Sequence, residues 1–459
     1  MQAETAYPST EVEGDLAHYP LLNALIERRS RRFGRGMHLN GGPLAYDSAQ
    51  TPRPLSRAEE AALAFAACGV TGYALAELPY QTGNVPEAGG GNIMTHFIGR
   101  TVASGDAMHD VTLFVLNDEG TWLLRRPQDY PRREVAHLIE AARGHRFEEL
   151  YDRARVRIAD RRLDVPRALP FVPSFNKYSA NLPGTTYFLP VAECSALYIN
   201  ILLSAFDDEF SYFVVDDRNR FQPAGIGQFA RSKGGHLHDD LTAGRFATVS
   251  FIETWIYEFV AIEQGAMLQN LGLMTQALGL GGFPHFAAHP FIWFKTLGFR
   301  MHELPFSHTI GAGPIMKGLL KALKKDTRVP TAVGLERDGA VLIKPFCPPY
   351  FRTMREAVLA FVDYKYAQGT GTFRDGGEAT AWRDGARVQE GIPRYSDRAI
   401  DATIAYCEYV YGRYGRFPSL SGPFRTVLAY QAHHLDNEFY DRFYRDTVLS
   451  RTQRADTTA

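Results

Sequence analysis

The stretch that most constrains this chain covers residues 257–286, because it combines a long apolar periodicity with regularly spaced glycines. Apolar residues recur there at steps of three, four and seven, which predicts an α-helix. Further apolar side chains fall on the other faces, so the helix belongs inside a domain. Gly265, Gly272 and Gly279 form one stripe, although each glycine costs about 1 kcal/mol relative to alanine in a helix interior. We therefore expect a backbone or a flat ligand to approach that stripe.

The glycine-rich run 279–284 that follows predicts a turn. The backbone amides of Gly281 and Gly282 would be bare enough in such a turn to touch a cofactor. The simpler interpretation is a buried core helix that ends in a glycine cap. Periodicity alone does not decide between the two.

The composition narrows the class of protein. A chain of 459 residues with 45% hydrophobic and 12% aromatic residues can bury large cores in one to three domains. Its formal net charge of −1 does not indicate nucleic acid or an anionic membrane as the main partner. The four cysteines are widely separated and predict neither a disulfide framework nor a zinc site. The sequence shows no signal peptide and no membrane-spanning run, so we expect a cytoplasmic protein without a membrane partner.

A cationic cluster follows a short amphipathic helix near residue 20. Arg28, Arg29, Arg31 and Arg32 surround Ser30. Forked guanidinium groups match the oxygens of a phosphate, and a serine hydroxyl adds a further donor. The alternative is a solvated basic helix end that the helix dipole favours.

Three signatures resemble, in their order along the chain, those of the FMN-dependent nitroreductase family. The first is the Arg-Arg-Ser motif at 28–30, and the second is the Pro-Leu-Ser cap at 54–56, whose serine begins a capping box before an alanine-rich helix. The third is the run 269–282, which starts with Gln-Asn and ends in Leu-Gly-Gly. The resemblance covers roughly the ranges 21–123 and 192–346.

This resemblance implies an α+β fold with a nitroreductase-like mixed central sheet flanked by helices, and the local patterns beyond it predict an additional helical C-terminal region. Together they divide the chain into a flexible tail at 1–19, the first half of the core at 20–130, a helical and aromatic insertion at 131–190, the second half of the core at 191–350, a helical extension at 351–449 and a disordered tail at 450–459. Local patterns predict strands at 111–118, 121–127 and 340–346, a hairpin at 207–225 and a buried helix at 194–206.

Carried over residue by residue, the resemblance also implies a cofactor site. The implied FMN-binding residues are Arg28, Arg29, Ser30 and Arg32 at the phosphate, Leu280, Gly281 and Gly282 at the ring, and Lys344 as the cation that completes the phosphate site. The family's Pro-Ser-x-x-Asn loop at the ring edge is missing from this chain. Two replacements are open, either Asn92 or the pair Ser104 and Gly105, and we favour the pair because it lies just before a strand.

The implied function is that of an FMN-dependent oxidoreductase of nitroreductase type. NADH or NADPH would supply electrons through FMN to a small organic acceptor, such as a nitroaromatic compound, a quinone or an enone. The resemblance further implies an intertwined homodimer with each flavin at the subunit interface, and it assigns no catalytic side chain. The alternatives are a flavin-binding protein without turnover and an oxygen-using flavin oxidase.

Two histidine-rich stretches have some features of metal sites, but we assign a metal to neither. His236 and His238 lie near two aspartates in a loop, where a metal would need further ligands placed by the fold. His434 and Glu438 are four residues apart, as on one helical face, but a second pair of ligands is not visible. We interpret the basic stretch 318–326 as a solvated helix face.

Overall fold

The computed structural model describes residues 16–80, 91–286 and 290–455. The strands are β1 (His38–Leu39), β2 (Tyr46–Asp47), β3 (Val70–Tyr73), β4 (Ile98–Arg100), β5 (Val111–Asn117), β6 (Gly120–Leu124), β7 (Arg155–Ala159), β8 (Thr185–Glu193), β9 (Phe213–Asp216), β10 (Gln222–Pro223), β11 (Phe246–Thr248), β12 (Gly281–Phe286), β13 (Arg300–Pro305), β14 (Arg328–Arg337), β15 (Ala340–Ile343), β16 (Phe424–Arg425) and β17 (Leu428–His433). The helices are α1 (Leu21–Glu27), α2 (Arg57–Cys68), α3 (Arg132–Arg143), α4 (Phe147–Ala154), α5 (Ser195–Ala205), α6 (Val249–Ala277), α7 (Pro290–Thr296), α8 (Phe306–Thr309), α9 (Pro314–Ala322), α10 (Met354–Tyr366), α11 (Gly385–Glu390), α12 (Asp397–Tyr414), α13 (Asn437–Phe443) and α14 (Arg451–Ala455).

The largest sheet of the described residues has seven strands, and it organises the molecule. Six strands follow in the order β12, β17, β8, β5, β6 and β7, and β16 pairs with β8 beside this path. Every neighbouring pair in this sheet is antiparallel. The α+β class is therefore confirmed, but the prediction of a mixed central sheet is wrong.

The central strands are covered on both faces. Every residue of β5, β6 and β8 is buried, and such strands have near-continuous apolar sequences because both faces need apolar side chains. The predicted strand at 111–118 is confirmed as β5, and that at 121–127 is confirmed as β6 as far as Leu124. The predicted hairpin at 207–225 is confirmed as the antiparallel pair β9 and β10, and the buried helix at 194–206 as α5.

Helix α6 is the long central helix that the periodicity predicts, but it begins eight residues earlier, at Val249. The hydroxyl of Thr248 caps it by accepting a 3.1 Å hydrogen bond from the amide of Phe251. Gly279 lies just beyond its end with φ of 77°, a left-handed conformation that suits glycine. Leu268 and Leu271 of this helix pack in one cluster with the alanines of α2. The predicted capping box of α2 is confirmed by the reciprocal bonds between residues 56 and 59.

The run after α6 differs from the predicted turn. Residues 281–286 form strand β12, which pairs along its whole length with β17. Gly281 and Gly282 are buried in this strand, so their amides are not bare. Glycine and proline are weak strand formers, and here the distant partner strand decides the structure.

The C-terminal region is not only helical. Residues 428–433 form β17, which lies between β12 and β8 inside the central sheet. The helix prediction for this stretch rested on aromatic residues at helical spacing, and the sheet pairing overrides it. Likewise, the range 131–190 contributes β7 and most of β8 to the same sheet, so it is not an insertion outside the core.

Both predicted tails fall partly outside the described residues. Residues 1–15 and 456–459 lie outside them. Within the predicted disordered tail, Arg451–Ala455 is helical and Gln453 is buried, so the prediction of disorder is wrong for these residues. None of the described helices has the length and apolar character needed to cross a membrane.

Candidate functional site

The arginine motif lies where the central helix ends and β12 begins. The chain leaves α1 at Arg28 in an extended conformation and runs past the C-terminal half of α6. A Cβ added to Gly272 would lie 3.2 Å from the Cδ atom of Arg28. The amide of Arg31 donates a 3.1 Å hydrogen bond to the carbonyl of Gly282. The structure therefore joins the first and third sequence signatures, and what approaches Gly272 is an arginine side chain.

Residues 28–30, named here the arginine segment, have donors to spare. Among the described residues, none hydrogen-bonds or ion-pairs with the guanidinium of Arg28, and none hydrogen-bonds the hydroxyl of Ser30. Arg29 is exposed and donates only to the carbonyl of Glu27, at 3.0 Å. The nearest acid in sequence, Glu27, accepts a hydrogen bond from the Tyr19 hydroxyl at 3.0 Å. Two guanidiniums and one hydroxyl are thus available on three consecutive residues for an anion.

Arg31 has a structural role instead. Its side chain is 4% exposed. The Nε and Nη2 atoms both donate to the carbonyl of Val448, at 2.9 and 2.6 Å, and Nη1 donates to Oε1 of Gln276 at 2.9 Å. This guanidinium therefore ties the N-terminal segment to α6 and to the C-terminal residues of the chain.

Arg32 turns to the opposite face of the sheet, into a buried polar layer. Its guanidinium lies 4.4 Å from the centroid of the Phe283 ring, and it bonds the side chain of Asn176. Within the described chain, three buried ring or guanidinium nitrogens there have no hydrogen-bond partner. They are Nε of Arg32, Nδ1 of His285 and Nε2 of His433.

Both of these imidazoles are neutral at physiological pH. Burial, together with the nearby charge of Arg32, lowers the pKa of His285 to about 4, and burial lowers that of His433 to about 3. The Nε2 atom of His285 lies 3.1 Å from the hydroxyl of Tyr187. The cavity beside His285 measures about 20 Å³, room for about one water molecule and far too little for a flavin ring.

The three predicted ring contacts are packed by the chain itself. Leu280 is buried in the core, and its carbonyl accepts a 3.1 Å hydrogen bond from Gln453. A Cβ on Gly281 would collide with Leu435, and one on Gly282 would lie 2.6 Å from the Tyr430 hydroxyl. These glycines are therefore required for the close approach of β17, and their predicted contact with a flavin is not needed to explain them.

Ser104 and Gly105, the favoured replacement for the ring-edge loop, lie in a different buried group. The hydroxyl of Ser104 donates to Oε2 of Glu263 at 2.7 Å. Glu263 also pairs with Arg100, which is buried, and accepts a 2.9 Å hydrogen bond from the amide of Val111. Gly105 packs against the ring of Phe259. We name Arg100, Ser104, Val111 and Glu263 the Glu263 cluster.

The Glu263 cluster is separate from the arginine segment. Glu263 lies nine residues before Gly272 on α6, about 14 Å along the axis. Sequence reasoning missed Glu263 as a structural residue. A signal was present, because this acid falls on the apolar stripe between Val260 and Met267.

Asn92, the other replacement, belongs to a third group. Its carbonyl accepts hydrogen bonds from the Lys365 ammonium and, at 3.1 Å, from the Tyr395 hydroxyl. Lys365 is fully buried and also donates to Oδ1 of Asn200 at 2.6 Å. The amide of Asn200 in turn lies 3.3 Å from Oδ2 of Asp106. We name these five residues the Lys365 cluster.

Burial shifts both charged groups of the Lys365 cluster. It lowers the pKa of the Lys365 amine to about 7, an effect that the charge of Asp106 partly opposes. It raises the pKa of the Asp106 carboxyl to about 6. Asp106, Ala107 and His109 all have left-handed backbone conformations, with φ between 50° and 54°. Such strain persists only where the surroundings fix the chain, and the buried hydrogen bonds of both clusters do so.

Lys344 lies far from the arginine segment. It follows β15 in the separate three-stranded sheet of β13 to β15, is exposed, and places its ammonium 4.1 Å from the centroid of the Phe351 ring. Two residues on, the amide of Phe346 bonds the Ser195 hydroxyl at the end of β8. The contact between Arg31 and Gly282 lies level with Thr186, at the start of β8. Thr186 and the end of this strand are about 23 Å apart. Within one chain, the structure therefore does not bring Lys344 together with the arginine segment.

The possible metal sites also change. His434 follows β17 and Glu438 lies in α13, so the two do not share one helical face. The ring of His236 bonds the carbonyl of Phe206 at 2.9 Å, and Asp239 accepts from Ser232. Across 16–80, 91–286 and 290–455, no three histidine, cysteine or acidic side chains are grouped to hold a metal ion.

One larger cavity lies between α5 and the first half of α6. Its volume is about 370 Å³, and its lining is mainly apolar. The lining residues are Ile93, Ile201, Ser204, Ala205, Phe210, Tyr212, Ala247, Phe251, Ile252 and Trp255. Ile252 lies twenty residues before Gly272 on the helix, about 30 Å along its axis, so this cavity is not part of the arginine segment's surroundings.

Comparisons with known proteins give little beyond this geometry. No protein-family model matches the chain, and no curated protein sequence does either. Among solved structures, a candidate nitroreductase from Ralstonia eutropha JMP134 superposes with a TM-score of 0.29 at 15% identity, over 64% of this chain and 80% of that one. A likeness at that level assigns neither fold nor function.

Proposed function

We propose that the protein is an FMN-dependent oxidoreductase of nitroreductase type and that the arginine segment binds the FMN phosphate. One observation carries the proposal. Two signatures resemble the same family and lie about 250 residues apart in the sequence. A backbone hydrogen bond joins Arg31, which directly follows the first, to Gly282, which ends the second, and spare donors lie beside that contact.

The arginine segment suits a phosphate monoester. Forked guanidinium groups of Arg28 and Arg29 can each donate two parallel hydrogen bonds to phosphate oxygens, and the Ser30 hydroxyl can donate one more. The segment is solvent-accessible at Arg29 and Ser30, so a ligand can reach it. Arg32 is excluded from this set, because its guanidinium is committed to Asn176 and Phe283 on the other face of the sheet.

The work of the chain's own residues is to bind and orient. When bound, FMN would supply the electron transfer between NADH or NADPH and a small organic acceptor. Arg28 and Arg29 would neutralise the phosphate charge, and Arg31 would hold the segment against α6 through Gln276. We assign no side chain as a proton donor or acceptor, because the imidazoles of His285 and His433 are buried and neutral.

We further propose a homodimer. In one chain, α1 exposes Leu21, Leu22, Leu25 and Ile26 by 51 to 65%. On α6, which contacts α1, Phe251, Trp255 and Ile262 are 41 to 69% exposed. Large exposed apolar side chains on two neighbouring helices are typical of a protein interface, and a second copy is the occupant that the resemblance implies.

The first test of the proposal is the visible absorption spectrum of the purified protein. We expect flavin bands, and heat should release a chromophore whose mass is that of FMN. NADH or NADPH should then bleach those bands at a rate at least as fast as the enzyme's turnover. A flavin that neither nicotinamide reduces would favour the flavin-binding protein or the oxidase. A colourless protein that also fails to bind added FMN would reject the proposal.

The dimer is tested by sedimentation velocity. Ile262→Asp puts a charge on the exposed stripe of α6 and should shift the protein from dimer to monomer. Leu241→Asp changes an equally exposed leucine outside both helices and should leave the dimer intact. A monomeric native protein would contradict the dimer while leaving FMN binding to be judged by the spectrum.

A further inference from the structure

Helix α9 is unlike the other helices because no residue of it is buried. Its apolar side chains are nevertheless large. Ile315 is 90% exposed, and Met316 and Leu319 are about half exposed. Leu323, just beyond the helix end, is 55% exposed. A helix with this composition normally packs its apolar face against the protein, so an exposed apolar face of this kind indicates an interaction surface.

The two faces of α9 differ sharply in character. At 100° per residue, Ile315, Leu319 and Leu323 fall within an arc of about 80°, and Met316 lies just beside it. Lys317 and Lys321 lie on the opposite side of the helix axis. The helix therefore presents an apolar face with cationic groups beyond it.

The surroundings of α9 are strongly cationic. Lys324 and Lys325 follow the helix directly, and Arg328 lies three residues further on. Asp326 is the one acid in 314–328, and its carboxylate is used by Ser307, whose amide and hydroxyl donate to it at 2.7 and 2.9 Å. The whole chain carries a formal charge of −1, so this patch is a local excess of positive charge.

Helix α9 is also held firmly in place at both ends. The hydrogen bonds between Ser307 and Asp326 join the residues that precede the helix to those that follow it. The guanidinium of Arg413 donates to the carbonyl of Gly311 at 2.9 Å. At the C-terminal end, Lys324 adopts φ of 54°, a conformation in which glycine is usual. The chain thus keeps a lysine where a neutral glycine would fit the backbone more easily.

We propose that α9 is a membrane-surface helix that docks on anionic lipid. Its apolar side chains would enter the headgroup boundary, and the negative surface potential, which extends about a Debye length into solution, would attract the lysines on the solvent side of the helix. The proposal departs from the sequence-based expectation of no membrane partner, which rested on the net charge of the whole chain and on the lack of a membrane-spanning run. A second copy of the chain fits less well, because a twofold contact through this face would bring two cationic helices together.

The proposal is tested by vesicle flotation of the full-length protein. We expect binding to phosphatidylcholine vesicles that contain phosphatidylglycerol, no binding to pure phosphatidylcholine vesicles, and loss of binding as salt is raised. The double variant Lys317→Glu, Lys321→Glu should weaken binding at least about tenfold. Leu319→Glu should weaken it to a similar extent, because it removes the apolar contact.

Matched controls are available elsewhere on the surface. The double variant Lys233→Glu, Lys295→Glu makes the same charge change at exposed lysines, and Leu241→Glu changes an exposed leucine. Both controls should bind like the native protein. Absence of native binding to anionic vesicles would overturn the proposal and leave an acidic protein surface as the partner chemistry for α9. Equal loss in the controls and in the α9 variants would also overturn it.

Discussion

The arginine segment and the Glu263 cluster show two different uses of charged residues. Arg28, Arg29 and Ser30 keep donors without partners among the described residues, at an accessible position. Arg100 and Glu263 are charged as well, but they are buried, and they pair with each other and with the backbone. The difference teaches that a functional-looking residue is best judged by what its polar atoms already contact. By that measure, the arginine segment can bind a ligand, whereas the Glu263 cluster stabilises the fold.

The sharpest way to break this comparison is to remove Glu263. Glu263→Ala leaves the buried guanidinium of Arg100 without its counter-charge, so we expect the free energy of unfolding to fall by roughly 4 kcal/mol. Urea denaturation measures this loss. Glu258→Ala, at an exposed acid on the same helix, should change stability by less than about 0.5 kcal/mol. Similar small effects in both variants would show that the Glu263 cluster does not support the fold.

Arg31 tests the boundary between the two uses, because it adjoins the arginine segment but is buried. Arg31→Ala removes three hydrogen bonds to Val448 and Gln276, and we expect a loss of about 3 kcal/mol in unfolding free energy. Arg29→Ala, two residues away, should alter stability by less than about 0.5 kcal/mol. If the two variants lose equal stability, the separation of a structural from a ligand-binding arginine fails.

The Lys365 cluster extends the comparison to pH. With a pKa of about 7 in the folded chain and about 10.4 when unfolded, Lys365 binds its proton more tightly in the unfolded state. Between these values the unfolded chain therefore carries more protons, and this residue makes stability rise with pH, by up to about 1.4 kcal/mol per pH unit. Below pH 7 both states are protonated, and the lysine adds no slope.

Lys365→Met removes this contribution. Urea denaturation at several values between pH 7 and 10 should show a flatter pH dependence for the variant than for the native protein. Parallel curves would mean that Lys365 keeps its proton in the folded state, and that its burial does not lower its pKa.

The sequence predicted best where a local pattern coincides with burial. Strand β5 and helix α5 are mainly apolar, and both lie where the local patterns placed them. Helix α6 was predicted from its stripe, but its start at Thr248 depends on a side-chain cap that the apolar period does not reveal. These elements are defined mainly by their own residues.

The rest depended on partners distant in sequence. Strands β12 and β17 are about 145 residues apart, and only their pairing explains why Gly281 and Gly282 are extended rather than turned. The same pairing makes β17 a strand despite its helical aromatic spacing. No local signal specifies such a contact, because the hydrogen bonds belong to both strands at once.

The candidate site was predictable only in part. Arg28, Arg29 and Ser30 are donors in the sequence, and the structure leaves them available. Whether Arg31 or Arg32 would join them depended on which face of the sheet each side chain reaches, and the motif does not encode this. Lys365 left a signal that was not used, since it shares an apolar stripe of α10 with Val358 and Phe361.

The central claim is that the arginine segment binds the phosphate of FMN, and a fluorescence titration of the flavin-free protein with FMN tests it most directly. The double variant Arg28→Ala, Arg29→Ala should bind FMN at least about a hundredfold more weakly than the native protein, because two charge-assisted contacts are lost. The exposed pair Arg352→Ala, Arg355→Ala serves as the control and should bind like the native protein. Equal affinity of the Arg28, Arg29 variant and the native protein would contradict the claim.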